Sequence, residues 1–266
     1  MHKIDIEEII KIARVAGSIA MQFYDKKYSI GEKENKTLVT EADIIINNFL
    51  IEKLSTYNYP ILSEEGEDDF EKRKNAEFIW IIDPLDGTSD FINRTNEFSI
   101  LIGLVKNNEP VLGVVYEPVK NSLYWAKKGK GAFLNKNRKN IRLQVSGKDD
   151  FSDMTILLSR NHLLNSDVEL CKKLNIGTQR KRGSTSKACV IARGNAEIYV
   201  NTSDKTGEWD TCAVNIILTE AGGDMTDMRG NKLEYNKREE TGHLNGFVAS
   251  NGMRHNKILT ELKNIS

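Results

Sequence analysis

The sequence predicts an α/β protein in two halves, an α+β half over residues 1–150 and an α/β half over 151–266, with layers of helix and sheet meeting at a cleft. Three observations predict it. The chain opens on apolar residues at helical spacing, continues through short β-like runs separated by turn signals, and ends on strand-like stretches that alternate with helix-like ones. No repeat and no low-complexity segment interrupts that order.

Ile6, Ile9, Ile10, Ala13, Ala16, Ile19, Ala20 and Phe23 recur at the period of an amphipathic first helix. Gly31 to Lys36 is polar, charged and expected to be mobile. Thr40-Glu41-Ala42-Asp43 has the form of a capping box ahead of the apolar run Ile44 to Leu54, so a second helix begins there. Pro60 to Ser63 reads as a short strand leading into the acidic stretch Glu64 to Glu71. Phe78-Ile79-Trp80-Ile81-Ile82 reads as a buried strand. Further β-like runs cover Phe98 to Val105, Val111 to Tyr116, Leu123 to Ala126 and Ile141 to Val145. Turns at Asn107-Asn108 and Gly129-Lys130-Gly131 make these an antiparallel meander. In the second half, strands are expected at Thr155 to Leu158, Ala196 to Val200, Asp224 to Asp227 and Gly246 to Ser250. Helices are expected at Val168 to Leu174, Ser184 to Ala192, Trp209 to Ala221 and Asn256 to Lys263.

Composition excludes more than it selects. Lys plus Arg and Asp plus Glu both number 38, so no global field argues for nucleic acid, a membrane surface or a strongly charged partner. Cys171, Cys189 and Cys212 have no Cys-x-x-Cys spacing and sit in apolar, helix-like stretches, which suggests packing rather than disulfides or zinc. The start lacks the basic and apolar regions of a signal peptide, and no apolar run is long enough to span a bilayer. The expected compartment is the cytoplasm.

The chemistry concentrates in Asp83-Pro84-Leu85-Asp86-Gly87-Thr88. Two carboxylates three positions apart are expected to emerge from the end of the Phe78–Ile82 strand, where Pro84 and Gly87 bend the chain. A glycine and a hydroxyl follow, residues that place a phosphate on backbone N–H groups. Neighbouring carboxylates repel unless a cation separates them, and a hard divalent ion suits oxygen ligands. A plain polar turn is the alternative. Three more acidic sites fall where the chain re-enters structure: Asp43, Glu64-Glu65 and Asp210. Each also has an ordinary reading. Asp43 completes a capping box, Asp210 complements a helix dipole, and Glu64-Glu65 belong to a solvated charge run.

Val39-Thr40-Glu41-Ala42-Asp43, Leu62-Ser63-Glu64-Glu65, Trp80 to Phe91, and Trp209-Asp210-Thr211-Cys212-Ala213 followed by Glu220-Ala221-Gly222-Gly223 occur in one order. Together they resemble the inositol monophosphatase superfamily of magnesium-dependent, lithium-sensitive phosphatases, from about Ile6 to about Ser250. The resemblance implies a layered αβαβα sandwich of the sugar-phosphatase kind. It implies that Glu64, Asp83, the Leu85 carbonyl, Asp86 and Asp210 hold two to three Mg²⁺ ions, with Asp83 bridging two of them. Asp43 and Thr88 would relay the attacking water's proton, Glu65 would stand beside them, and Gly87, Thr88 and Ser89 would offer N–H groups to the phosphate.

Within that superfamily, Ser159-Arg160-Asn161-His162 and Gly183-Ser184-Thr185-Ser186-Lys187 resemble the Ser-Arg-x-His and Gly-Ser-Ser-x-Lys patterns of 3′(2′),5′-bisphosphate nucleotidases. The implied substrate is adenosine 3′,5′-bisphosphate, with Arg160 and Lys187 serving a second phosphate. The ordinary reading makes both surface cations and His162 a loop residue. The pattern departs at Ser89, where many nucleotidases carry Lys, and at Val200-Asn201, where the bacterial type often has Pro-Arg. Lys205 is the possible substitute for that arginine, and Lys33 or Lys36 for the mobile-loop lysine of relatives. The alternative substrate is an inositol or sugar monophosphate. A catalytically dead phosphate-binding regulator on this fold would lack one of Glu64, Asp83, Asp86, Asp210 or Thr88, and all five are present. The implied partner is a small phosphorylated molecule, with no nucleic-acid polymer and no membrane, acted on by a monomer or homodimer.

Overall fold

A computed structural model describes residues 4–24, 26, 30–32, 38–137, 139–161, 163–203, 206–237, 240–243 and 246–265. Five layers stack upon one another. The outermost holds α1 (Ile6–Tyr24) and α2 (Glu41–Ser55), which lie on one face of a seven-stranded sheet. That sheet runs in the order β3 (Ile61–Ser63), β4 (Phe78–Asp86), β5 (Ser99–Lys106), β6 (Glu109–Glu117), β7 (Ser122–Lys127), β8 (Gly131–Lys136) and β9 (Lys139–Arg142). It is antiparallel throughout except for the parallel β3–β4 pair. Between α1 and α2 the chain also forms a small ribbon, β1 (Ile30–Glu32) against β2 (Leu38–Thr40).

The opposite face carries α6 (Lys187–Ala192) and α7 (Glu208–Glu220), the central helical layer. Beyond it lies a five-stranded sheet in the order β11 (Thr178–Arg182), β10 (Thr155–Ser159), β12 (Ile198–Asn201), β14 (Phe247–Ser250) and β13 (Asp224–Asp227). Its first three strands are parallel and its last two pairings antiparallel. Helices α5 (Asn165–Lys173) and α8 (His255–Lys263) cover the far face. The layered αβαβα expectation is met.

Strand periodicity explains the layering. Ile79 and Ile81 of β4 join the core shared with α6 and α7, while Phe78, Trp80 and Ile82 join the core under α1 and α2. A strand buried on both faces reads as an unbroken apolar run, as this one does. The second sheet splits the same way: Leu157, Tyr199 and Phe247 face α7, and Ile156, Ile198 and Val248 face α5 and α8. One core therefore unites residues from both sides of position 150. Helix α7 sits close on the first sheet because Gly103 and Gly113 leave no side chain beneath it. A Cβ on Gly113 would lie 2.5 Å from the Ala213 carbonyl oxygen.

Several elements differ from the sequence expectation. β11 was not foreseen because Thr-Gln-Arg-Lys-Arg has no apolar alternation; it is an exposed edge strand on which charge is protective. β8 was hidden behind Gly131, which ends the turn and opens the strand. The strand expected over Ile141 to Val145 is Lys139–Arg142. Helix α6 starts at Lys187 instead of Ser184, whose φ of 60° is incompatible with a right-handed helix. The acidic stretch contains a turn of helix, α3 (Phe70–Arg73), capped by Asp69. Gly31 and Glu32 belong to β1, whereas Lys33 and Lys36 lie outside the described residues. The asparagine turn is as expected, with φ of 48° at Asn107 and 65° at Asn108, both positive as a tight hairpin of this kind requires.

Candidate metal centre

Asp83 and Asp86 do not leave the strand before they act; both lie within β4, which continues to Asp86 across a bulge. Two intervening residues with regular pleating would put the pair on opposite faces. The bulge re-aims them, a usual role for such irregularity beside functional sites. Asp210 arrives from the first turn of α7, where its Oδ2 accepts from Gly207 N–H at 2.7 Å. Carboxylate oxygens of Asp83, Asp86 and Asp210 lie within 4.8 Å of one another. Glu64 follows β3 directly, and its N–H donates to the Ile82 carbonyl at 3.3 Å, which sets it beside Asp83.

Unit charges at that spacing repel by roughly 3 kcal/mol per pair at an effective dielectric of about 20. Burial therefore pushes the Asp83 carboxyl well above its ordinary range, with further elevation from Glu64, Asp86 and Asp210. Asp210 is raised by loss of solvent and then by Glu64 and Asp86. Asp83 Oδ1 accepts from Leu85 N–H at 2.9 Å, but its buried Oδ2 has no hydrogen-bond partner among the described residues. An orphaned carboxylate oxygen amid all-oxygen donors fits a hard divalent cation of the Mg²⁺ type.

Asp43 behaves differently. Asp43 does complete the capping box: its Oδ2 accepts from Thr40 N–H at 2.8 Å and also from the Thr40 hydroxyl. Its other oxygen remains available, and Oδ1 accepts from the Thr88 hydroxyl at 3.1 Å. The structural and functional readings of Asp43 are thus carried by separate oxygens. Burial raises its carboxyl, opposed by the Thr40 and Thr88 bonds. Thr88 Oγ1 also lies 3.2 Å from the Leu85 carbonyl. Gly87, Thr88 and Ser89 open the short helix α4 (Thr88–Ile92), and the first N–H groups of a helix have no intrahelical acceptor. Gly87 has φ of 91°, a conformation that favours glycine, and the turn hangs on it. Glu65 packs near by, with its carbonyl 3.4 Å from Asn47 Nδ2 and its N–H 3.4 Å from Ser63 Oγ.

The cation side is arranged otherwise. Arg160 follows Ser159, the last residue of β10, and its guanidinium pairs with Glu97 at 2.7 Å and Asp90 at 3.4 Å. Asn161 Nδ2 donates to Asp90 at 2.9 Å, and Gly183 N–H to Glu97 at 2.8 Å. His162 and Lys205 lie outside the described residues. Lys187 is no surface cation: it is 3 % exposed, and its ammonium donates to the carbonyls of Ser184 at 2.6 Å and Arg182 at 3.3 Å. It also lies 4.6 Å from the centre of the Tyr199 ring, and burial pulls its pKa down to about 8.

Four residues that matter here escaped the sequence reading. Ser99 and Ser184 donate to Asp86 Oδ2, Ser99 at 2.9 Å, and Thr185 N–H reaches both Asp86 oxygens at 2.9 and 3.1 Å. Glu97 and Asp90, which neutralise Arg160, complete the four with Ser99 and Thr185, while Ser184 was expected only to meet substrate. One signal was available: Ser99 opens an otherwise apolar strand, and it pairs directly with Asp86 across the sheet.

The family model described as the inositol monophosphatase family matches residues 4–266. The chain belongs to that family. A curated relative from Aggregatibacter actinomycetemcomitans named 3′(2′),5′-bisphosphate nucleotidase CysQ is 38% identical over 240 residues, covering 88% of each chain. Among solved structures, CysQ from Bacteroides thetaiotaomicron has a TM-score of 0.80 at 30% identity, covering 93% of this chain and 97% of its own. The Thermotoga maritima IMPase has a TM-score of 0.82 at 26% identity, covering 98% and 97%. No helix among the described residues is long and apolar enough to cross a membrane.

Proposed function

We propose that this chain is a magnesium-dependent phosphatase of the 3′(2′),5′-bisphosphate nucleotidase type, removing the 3′-phosphate of adenosine 3′,5′-bisphosphate and of its sulfonated form in the cytoplasm. The observation that carries the substrate assignment is the 38% identity, over 88% of both chains, to a curated relative named for that activity. The buried, partnerless Asp83 Oδ2 among like charges supports the reaction type.

In this reading Glu64, Asp83, the Leu85 carbonyl, Asp86 and Asp210 would hold two to three Mg²⁺ ions, shared by the two halves of the chain, 1–150 and 151–266. Bound there, Mg²⁺ supplies charge neutralisation for the phosphoryl group and acidifies the attacking water. The Thr88 hydroxyl, bonded to Asp43 Oδ1 at 3.1 Å, takes up the proton of that water as its own passes to Asp43. The water oxygen bonds to phosphorus, the phosphorus–ester oxygen bond breaks, and the alcohol leaves with a solvent proton. N–H groups at Gly87, Thr88 and Ser89 hold the phosphoryl oxygens, which is mostly positioning and electrostatics. Glu65 lies at the margin of this group. The rest of the nucleotide meets Ser159, Arg160, Gly183 and Ser184 on the cation side, with His162 and Lys187 belonging to the same two sequence patterns.

A second reading, an inositol or sugar monophosphatase, is favoured by one observation: Arg160 and Lys187 already have internal partners. Initial rates on adenosine 3′,5′-bisphosphate, its sulfonated relative, inositol 1-phosphate and fructose 1,6-bisphosphate decide between them. The bisphosphate nucleotide is expected to be the preferred substrate; preference for inositol 1-phosphate would overturn the assignment.

A further inference from the structure

The acidic arm that follows Glu64 ends on a buried arginine. Arg73, the last residue of α3, is 1 % exposed, and its guanidinium grips Asp68 through Nε and Nη2, both at 2.6 Å. Its remaining terminal nitrogen, Nη1, donates at 2.9 Å to the side-chain oxygen of Asn236, 163 positions along the chain. The contact is returned, since Asn236 Nδ2 donates to the Arg73 carbonyl at 2.8 Å. Asn236 N–H donates at 2.8 Å to Oε2 of Glu208, the first residue of α7. Asp210 lies in that same helical turn. Asn236 has φ of 58°, a left-handed conformation that asparagine tolerates better than most residues. One buried residue thus spends three polar groups on two elements, the arm of Glu64 and the helix start of Asp210.

The Asn236 amide is not required to hold its own segment. Its neighbour Tyr235 is already fixed, by its N–H on the Asn108 carbonyl at 3.2 Å and by Asn108 Nδ2 on the Tyr235 carbonyl at 2.7 Å. Asn215 Nδ2 adds a 2.9 Å bond to the Tyr235 hydroxyl. What the amide contributes is the tie to Arg73. The near end of the arm has its own anchor, because Asn47 accepts from Ser63 Oγ at 2.6 Å and donates to the Glu65 carbonyl at 3.4 Å. Asn236 and Arg73 hold the far end. A buried guanidinium makes that hold exacting, since removing one partner of a buried charge is strongly destabilising. Glu64 and Asp210 are near enough for the charge of one to raise the carboxyl of the other. We propose that Asn236 and Arg73 are positioning residues for the metal centre: they lock the Glu64 arm onto the first turn of α7 and so fix Glu64 and Asp210 relative to each other. This rests on the metal-centre reading above.

The test is Mg²⁺ titration calorimetry on wild type, Asn236→Gly, Asn236→Asp and Arg73→Lys, beside Tm, and kcat and KM for adenosine 3′,5′-bisphosphate across Mg²⁺ concentrations. Asn236→Gly keeps the left-handed backbone and the N–H to Glu208 and deletes only the amide. It is expected to weaken Mg²⁺ binding about tenfold, the lower end of what groups supporting metal ligands are worth. Its lost activity should return as Mg²⁺ is raised, with nucleotide KM at saturating Mg²⁺ unchanged. Arg73→Lys keeps the charge but not the fork, and should match the glycine variant. Asn236→Asp keeps the acceptor for Arg73 and loses the donor, and should fall between glycine and wild type. These two variants carry the test if Asn236→Gly does not fold. A lowered Tm with unchanged Mg²⁺ affinity would overturn the proposal and leave the clamp a matter of stability alone. Wild type that takes up no Mg²⁺ would overturn the metal-centre reading itself, and the proposal with it.

Discussion

The two sides of the cleft handle charge in opposite ways. On the side of Asp83, Asp86 and Asp210, like charges crowd together, the carboxyls of Asp83 and Asp210 are driven upward by burial and by neighbouring carboxylates, and one buried oxygen has no partner among the described residues. On the side of Arg160 and Lys187, every charge is answered: Arg160 by Glu97 and Asp90, and Lys187 by two carbonyls and an aromatic face. A charge-incomplete cluster specifies what must bind to complete it. A charge-complete one is stable without a ligand and says little about what it receives. That difference explains why the reaction is easier to read from this molecule than the substrate.

The comparison can be broken at its active side first. Thr88→Ala removes the hydroxyl between Asp43 and the Leu85 carbonyl, and proton transfer by a positioned group contributes about 10²- to 10⁴-fold. A loss of that size in kcat is expected, with Mg²⁺ binding retained, as initial rates beside titration calorimetry would record. A loss below tenfold would remove Thr88 from the relay.

The passive side yields a smaller effect. Glu97→Gln deprives the Arg160 guanidinium of its 2.7 Å carboxylate partner while keeping an acceptor for Gly183 N–H. If Arg160 serves the second phosphate, KM for adenosine 3′,5′-bisphosphate should fall several-fold as the competing carboxylate goes, since one charged pair at a partly exposed site is worth about 1 kcal/mol. KM for a monophosphate should not move. Equal changes for both substrates would assign Arg160 to holding the loop alone.

Much of this was legible in the chain. Phe78 to Ile82 announces a doubly buried strand because its apolar run is unbroken, and Thr40 to Asp43 announces a helix start because the capping pattern is local. Asp83, Asp86, Glu64 and Asp210 stand out because their neighbours are turn and helix-start residues. What escaped depends on partners far along the chain. Ser99 and Thr185 are unremarkable until the sheet brings Ser99 opposite Asp86 and α6 brings Thr185 onto the same carboxylate. The burial of Lys187 escaped for the same reason. A lysine in a polar segment reads as exposed, and only the fold turns its ammonium onto Ser184. Edge strand β11 lacks any apolar signal because one side of it has no neighbour to bury against.

The central claim is that the buried carboxylates form a centre completed by a divalent cation. Thermal unfolding of wild type between about pH 5 and about pH 8, in EDTA and in Mg²⁺, tests it directly. Asp83 and Asp210 have folded-state pKa values raised above the unfolded ones. Their contribution to stability is therefore present at low pH and lost as pH rises through the raised values. Without metal, Tm should fall as pH rises across that window. Mg²⁺ should remove the fall, raising Tm most at the upper end, where protons no longer shield the cluster. A Tm that Mg²⁺ leaves unchanged at every pH would contradict the account.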